Sequence, residues 1–255
     1  MKTRIFLFNK KVLSTVFVAF LCLILALFWV CRAVSSPQRK IPIYSVDRND
    51  MAIALTFDCA WNDDDIQEII KVLDKYNCKS TFFVVGDWAL KYQNAVIALN
   101  KAGHEISNHS YNHLHYPKLS KEKIKEDMDK CDRIIENLIA KKSKLFRPPY
   151  GDYNNDVVNA CIETGRFCIQ WDVDSLDWKE LEAKDIANRV LLKTKSGSII
   201  LLHNGTPNTH KALELVLPEL LKKGFVFTTV SNLIYKNNYI IDNAGKQIQS
   251  HDTNL

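Results

Sequence analysis

Five short stretches carry side chains that could act together on a polar substrate. Asn108-His109-Ser110-Tyr111-Asn112-His113 spaces two histidines four residues apart. On one face of a helical turn, that spacing brings both imidazoles within reach of one metal ion. Isolated pairs of this kind are also common as surface polar residues, and His104 and His115 nearby make the pair less distinctive. Leu55-Thr56-Phe57-Asp58 reads as a strand ending in a carboxylate, placed either to act as a base or to cap the next helix. Arg147-Pro148-Pro149-Tyr150-Gly151 is a rigid turn, able to fix an arginine and a backbone N–H or to serve only as a turn. Asp174-Ser175-Leu176-Asp177-Trp178 offers two carboxylates beside an aromatic wall. Leu201-Leu202-His203 ends a buried strand in a histidine, which taken alone is more often a satisfied core residue than a catalyst.

These stretches follow elements that alternate regularly. Ala52 to Phe57 reads as a strand, and Ile66 to Tyr76 as a helix with Ile66, Ile69, Ile70 and Leu73 on one face. Thr81 to Val85 is a continuous apolar run of the kind found in buried parallel strands. The alternation continues to a last strand at Val226 to Thr229. It predicts an α/β fold, a distorted (β/α) barrel of about seven parallel strands, with the polar stretches just after the strands, where such folds place active sites. The expected organisation is a basic segment over residues 1–11, an apolar anchor over 12–34, a linker over 35–50, one catalytic domain over 51–235 and a poorly ordered polar tail over 236–255.

The formal net charge of +5 owes most to Lys2, Arg4, Lys10 and Lys11, before the first apolar run. The remainder is nearly balanced and shows no basic stripe, so no nucleic-acid partner is indicated. Val12 to Cys31 carries no charge and matches the ~20 residues of a membrane-spanning helix, with its N-terminal side cytoplasmic by the positive-inside rule. Cleavage of a signal peptide near Ala33 and Ser35 is the alternative, and either reading puts the rest of the chain outside the cytoplasm. Five cysteines beyond that run (Cys59, Cys78, Cys131, Cys161, Cys168) lack a CxxC pattern and indicate no disulfide framework.

In this order and spacing, the five stretches resemble the motifs of the polysaccharide deacetylase family, carbohydrate esterase family four, over roughly residues 52–230. The resemblance implies removal of acetyl groups from N-acetylglucosamine units, or O-acetyl groups in some members, with one divalent metal, commonly zinc. Residue by residue, it implies His109 and His113 as metal ligands, Asp58 as the base and His203 as the acid that protonates the leaving amine. Arg147 resembles the arginine that orients the base, and the backbone N–H of Tyr150 an oxyanion donor. Asp174 resembles the carboxylate that orients the catalytic histidine, while Trp178 and Leu201 would line the acetate pocket.

One position departs from the family pattern. The second of two aspartates usual in the first motif, a metal ligand, is Cys59 here. Cys59 could bind as a thiolate, a loop carboxylate (Asp65 first, or Asp63 or Asp64) could replace it, or the site could keep two histidines only. The form Thr56-Phe57-Asp58-Cys59-Ala60-Trp61 resembles a branch of the family found in spore-forming bacteria. The expected function is deacetylation of an N-acetylated surface glycan, most plausibly peptidoglycan; the alternative is a catalytically impaired glycan-binding protein.

Overall fold

The computed structural model describes residues 10–34 and 38–250 and divides the chain into two compact units, residues 1–39 and 40–255. In the first unit a single helix, α1, runs Lys10–Val34. The expected transmembrane span over 12–34 is not upheld: among the described residues, no helix is long and apolar enough to cross a membrane. Most of the expected basic segment, residues 1–9, lies outside the described residues.

The second unit opens with β1 (Ser45–Val46) and β2 (Ala52–Cys59), followed by α2 (Ile66–Lys75), β3 (Thr81–Val84), α3 (Gly86–Lys91) and α4 (Gln93–Lys101). Then come β4 (Glu105–Asn108), α5 (Lys121–Ile139), β5 (Leu145–Phe146), α6 (Asn155–Glu163), β6 (Phe167–Cys168) and β7 (Val173–Asp174). The order ends with α7 (Ala183–Lys193), β8 (Ile199–His203), α8 (Thr209–Lys222), β9 (Val226–Phe227), α9 (Val230–Leu233), β10 (Tyr239–Ile241) and β11 (Lys246–Gln249). Seven strands form one parallel path, β6-β5-β4-β3-β2-β8-β7, and β9 adds alongside the start of β2. This is the predicted parallel α/β architecture, a half-barrel open between β6 and β7.

β2 is the central strand, and its two faces explain the site. Ile53, Leu55, Phe57 and Cys59 enter the apolar layer shared with α2, α4 and α8, whereas Ala52 and Ala54 belong to the second cluster with Phe83 and Ile199. Because side chains alternate along a strand, Thr56 and Asp58 share the face of Ala52 and Ala54. Helix ends follow local chemistry: Ser120 caps α5 by accepting from the Lys123 N–H, and Asn154 caps α6 by accepting from Val157.

Residues 236–250 are not a poorly ordered tail, and residues 251–255 lie outside the described residues. β10 and β11 form an antiparallel hairpin, and β11 pairs in parallel with β1. The Asp242 carboxylate accepts from the N–H groups of Ala244 and Lys246, fixing the turn. Gln247 is fully buried and bonds both backbone groups of Tyr235 with its amide.

Gly197 shows how closely β1 crosses the start of β8. Its φ is +79°, and an added Cβ would lie 1.7 Å from the Val46 carbonyl oxygen, while the Val46 N–H donates to the Gly197 carbonyl at 2.9 Å. Gly197→Ala is therefore expected to lower unfolding free energy by about 2 kcal/mol or more, measured by denaturant titration of the Lys40–Leu255 unit in the full chain. A loss below ~0.5 kcal/mol would show that β1 can yield.

Candidate active site

Asp58 is the last residue on the Thr56 face of β2 and is buried. Its Oδ1 accepts from Arg147 Nη1 at 2.7 Å, and the same Nη1 donates to Thr56 Oγ1 at 2.8 Å. Arg147 has no solvent exposure; Nη2 donates to the Gln170 carbonyl at 3.1 Å, and the guanidinium lies 4.1 Å from the Phe83 ring centroid. Burial opposes ionisation of Asp58, but the charge of Arg147, helped by that of His203 and by the Arg147 hydrogen bond, outweighs it and holds its carboxyl below the ordinary range. Asp58 is thus a carboxylate, the form a base requires.

The histidine pair lies in an irregular turn rather than on a helix. Ser110 and His113 have φ of +71° and +54°, and the turn is tied by Asn108 Oδ1 to the Ser110 N–H and by Ser110 Oγ to the His113 N–H. Asn108 is fixed in turn by donating to the Met128 carbonyl and Asp132. These polar ties replace the helical hydrogen bonds that the four-residue spacing suggested. His109 Nδ1 donates to the Arg147 carbonyl at 2.8 Å, which leaves Nε2 as a lone pair, 3.4 Å from Asp58 Oδ2. The two rings stand 5.0 Å apart. Burial lowers the pKa of both, that of His113 to about 4, so both are neutral at pH 7, the ligating form.

His203 closes the opposite side. Its Nδ1 pairs with Asp177 Oδ1 at 2.8 Å and its backbone N–H donates to Asp177 Oδ2 at 2.8 Å, where Thr209 Oγ1 also donates at 2.6 Å. Burial disfavours the imidazolium, yet the hydrogen bond and charge of Asp177 more than offset it and raise the His203 pKa above its ordinary value. The expectation that Asp174 orients this histidine is corrected. Asp174 pairs in register with Leu201, two residues short of His203, and its carboxylate accepts from the Leu176 N–H. Leu176, at φ +56°, then turns the chain so that Asp177 reaches the ring.

Of the sequence-predicted residues, Asp58, His109, His113, Tyr150, Asp174, Trp178, Leu201 and His203 line one cavity of about 770 Å³, with Arg147 beneath it. Tyr150 holds a left-handed backbone (φ +60°), and its ring stacks on His115 at 4.1 Å. Cys59 and Asp65 are absent from that wall. Cys59 faces the apolar layer because it follows Asp58 on a strand, and burial pushes its thiol pKa far up. Asp65 is spent elsewhere, accepting from the Gly205 N–H at 2.8 Å. Asp63 and Asp64 do not line the cavity either. Sequence reasoning missed Asp177, which the second carboxylate of its own motif signalled, and Trp61, whose signal was a lone tryptophan in a polar loop.

The sequence profile of the polysaccharide deacetylase family matches residues 45–167. A peptidoglycan-N-acetylglucosamine deacetylase of Bacillus cereus is 36% identical over 200 residues, covering 76% of this chain and 93% of that protein. The chain belongs to the polysaccharide deacetylase family. YlxY of Bacillus subtilis is 33% identical over 193 residues, 76% of this chain, and the matched part is 60% of its length. The solved structure of a Bacillus anthracis pseudoenzyme of carbohydrate esterase family four superposes with a TM-score of 0.74, at 29% identity over 82% of this chain and 73% of that one.

Catalytic zinc in proteins commonly has three protein ligands. His109 and His113 suit two of those places by charge state and by the bond that orients His109. The third place is not filled: among the described residues, no group of three His, Cys, Asp or Glu side chains is placed to hold a metal ion.

Asp177 gives a pH test specific to this deacetylase site. Asp177→Asn removes the charge that raises the His203 pKa, so the alkaline limb of kcat/KM, which reports loss of a protonated acid, is expected to move to lower pH. An unmoved limb would show that His203 is not that acid.

Proposed function

We propose that this chain is a hydrolase that removes acetyl groups from an N-acetylated wall glycan, peptidoglycan foremost, and that it works outside the cytoplasm, where that polymer lies. The supporting observation is the pairing of an ionised, arginine-held Asp58 with an aspartate-held, protonatable His203 across one cavity. The names of the Bacillus relatives point to the same substrate class.

In this reading the Asp58 carboxylate takes a proton from the water that adds to the acetamide carbonyl. Arg147 keeps the carboxylate aligned and ionised. The tetrahedral oxyanion is met by the backbone N–H of Tyr150, presented by the turn that Pro148 and Pro149 stiffen. His203 then delivers its proton to the nitrogen as the carbon–nitrogen bond breaks, giving acetate and an amine on the sugar. Trp178 and Leu201 enclose the acetyl methyl. A divalent ion held by His109 and His113, zinc by their imidazole chemistry, would supply Lewis-acid polarisation of the carbonyl.

A second reading is a glycan-binding protein without catalysis. It is favoured by the unfilled third ligand position and by the likeness to a protein described as a pseudoenzyme.

Acetate release from N-acetylated glycan strands, with zinc supplied, separates the two. Asp58→Asn and His203→Ala are each expected to lower kcat by about 10²-fold or more while glycan still binds. Wild-type release no greater than that of Asp58→Asn would leave only the binding reading.

A further inference from the structure

Trp61 lies in the loop between β2 and α2, and its ring centroid is 5.3 Å from that of His203 at a 31° tilt. The indole keeps 47% of its exposure although it lines the cavity, so it is not there to fill the core. The loop beneath it is held from three directions. Asp65 Oδ1 accepts from the Gly205 N–H at 2.8 Å, Asn204 Nδ2 donates to the Asn62 carbonyl, and Trp88 Nε1 donates to that carbonyl at 3.3 Å. Gly205, at φ +69°, lets the two loops meet: an added Cβ would come within 3.0 Å of Trp61 Cβ and 2.8 Å of Asn62 Oδ1.

Asn204 and Gly205 immediately follow His203, so this network fixes the indole relative to the acid itself. A large aromatic face kept in water has lost the benefit of burial, and a rigid, half-exposed face in a cavity with convergent polar groups suits a ligand that is apolar on one side and polar at its rim. A pyranose ring has that character, with axial C–H groups on its faces and hydroxyls at its edge.

We propose that Trp61 is the stacking platform for the pyranose that carries the reacting acetamide, held in place by the Asp65–Gly205 tie. The inference rests on the deacetylase reading for which sugar is bound, since the nitrogen protonated by His203 belongs to that ring. It also assigns Asp65 a positioning role in place of the metal-ligand role expected from the sequence. The Asp65 carboxylate accords with that: it lies outside the cavity wall, and its Oδ1 makes the tie to Gly205.

Two measurements on the full chain test this. The first is calorimetric titration with an N-acetylglucosamine tetramer, which does not depend on turnover. Trp61→Ala is expected to weaken binding at least about tenfold, equivalent to ~1.4 kcal/mol, and Trp61→Phe to recover most of it. Asp65→Ala should weaken binding in the same direction, with Asp65→Asn, which retains an oxygen acceptor, restoring it. The second is the steady-state rate of acetate release, where the loss in Trp61→Ala should fall on KM rather than kcat. Equal tetramer affinity in wild type and Trp61→Ala would overturn the platform, as would a loss that Trp61→Phe does not recover. Binding lost in Trp61→Ala with no acetate released by any form would uphold the platform and sink the deacetylase reading instead.

Discussion

The ion pair between Asp58 and Arg147 is the contact on which the catalytic half of the molecule depends. Both groups are withdrawn from water, and a buried charge is tolerated only when paired and hydrogen-bonded. The requirement ties three separate segments. Thr56 and Asp58 come from β2, Arg147 from the turn after β5, and the Gln170 carbonyl from the segment after β6. Removing one partner of such a pair typically costs about 3–5 kcal/mol, because the other charge is left uncompensated. The same arginine also offers its backbone carbonyl to His109. One residue therefore sets the ionisation of the proposed base and the tautomer of the neighbouring histidine.

Strand geometry then decides what Cys59 can be. With Asp58 committed to Arg147, the next side chain on an extended strand must point to the opposite face, where Phe57 and Ile66 already form an apolar layer. A thiol suits that layer, since free cysteine packs as a small apolar group. In this chain Cys59 is accordingly a residue of the core and not of the cavity wall. The polar work of the following loop passes to Asp65, which binds the loop after His203 rather than the cavity.

Much of the fold was legible because the hydrophobic periods are clear. The apolar run at Thr81 to Val84 and the amphipathic pattern from Ile66 correspond to β3 and α2. What stayed hidden depends on contacts distant in sequence. The short α3 has no period long enough to read, and β10 and β11 owe their order partly to β1, about 200 residues earlier. The site was legible as a set of residues but not as a geometry. The two carboxylates of Asp174 to Trp178 are equivalent on paper, and only the register of β7 on β8 with the left-handed Leu176 decides that Asp177 meets His203. Likewise the His109 and His113 spacing fits a helix, while the side chains of Asn108 and Ser110 hold a turn.

Opposed pKa shifts give the site its working range. Asp58 is more acidic than in an unfolded chain; the stability this contributes is present above the ordinary aspartate value of about 3.9 and is lost as pH falls through the folded value. His203 is shifted upward, so its contribution is full below the ordinary histidine value of about 6.5 and declines as pH rises through the folded value. His109 and His113 are shifted downward, and their contribution is full above about 6.5 and lost as pH falls, for His113 through about 4. The acid and the histidine pair therefore pull in opposite directions about the same reference value. Near neutrality Asp58 is ionised and the pair is neutral, and Asp177 favours the protonated form of His203. The charge states that best suit the fold are also those that the proposed hydrolysis needs.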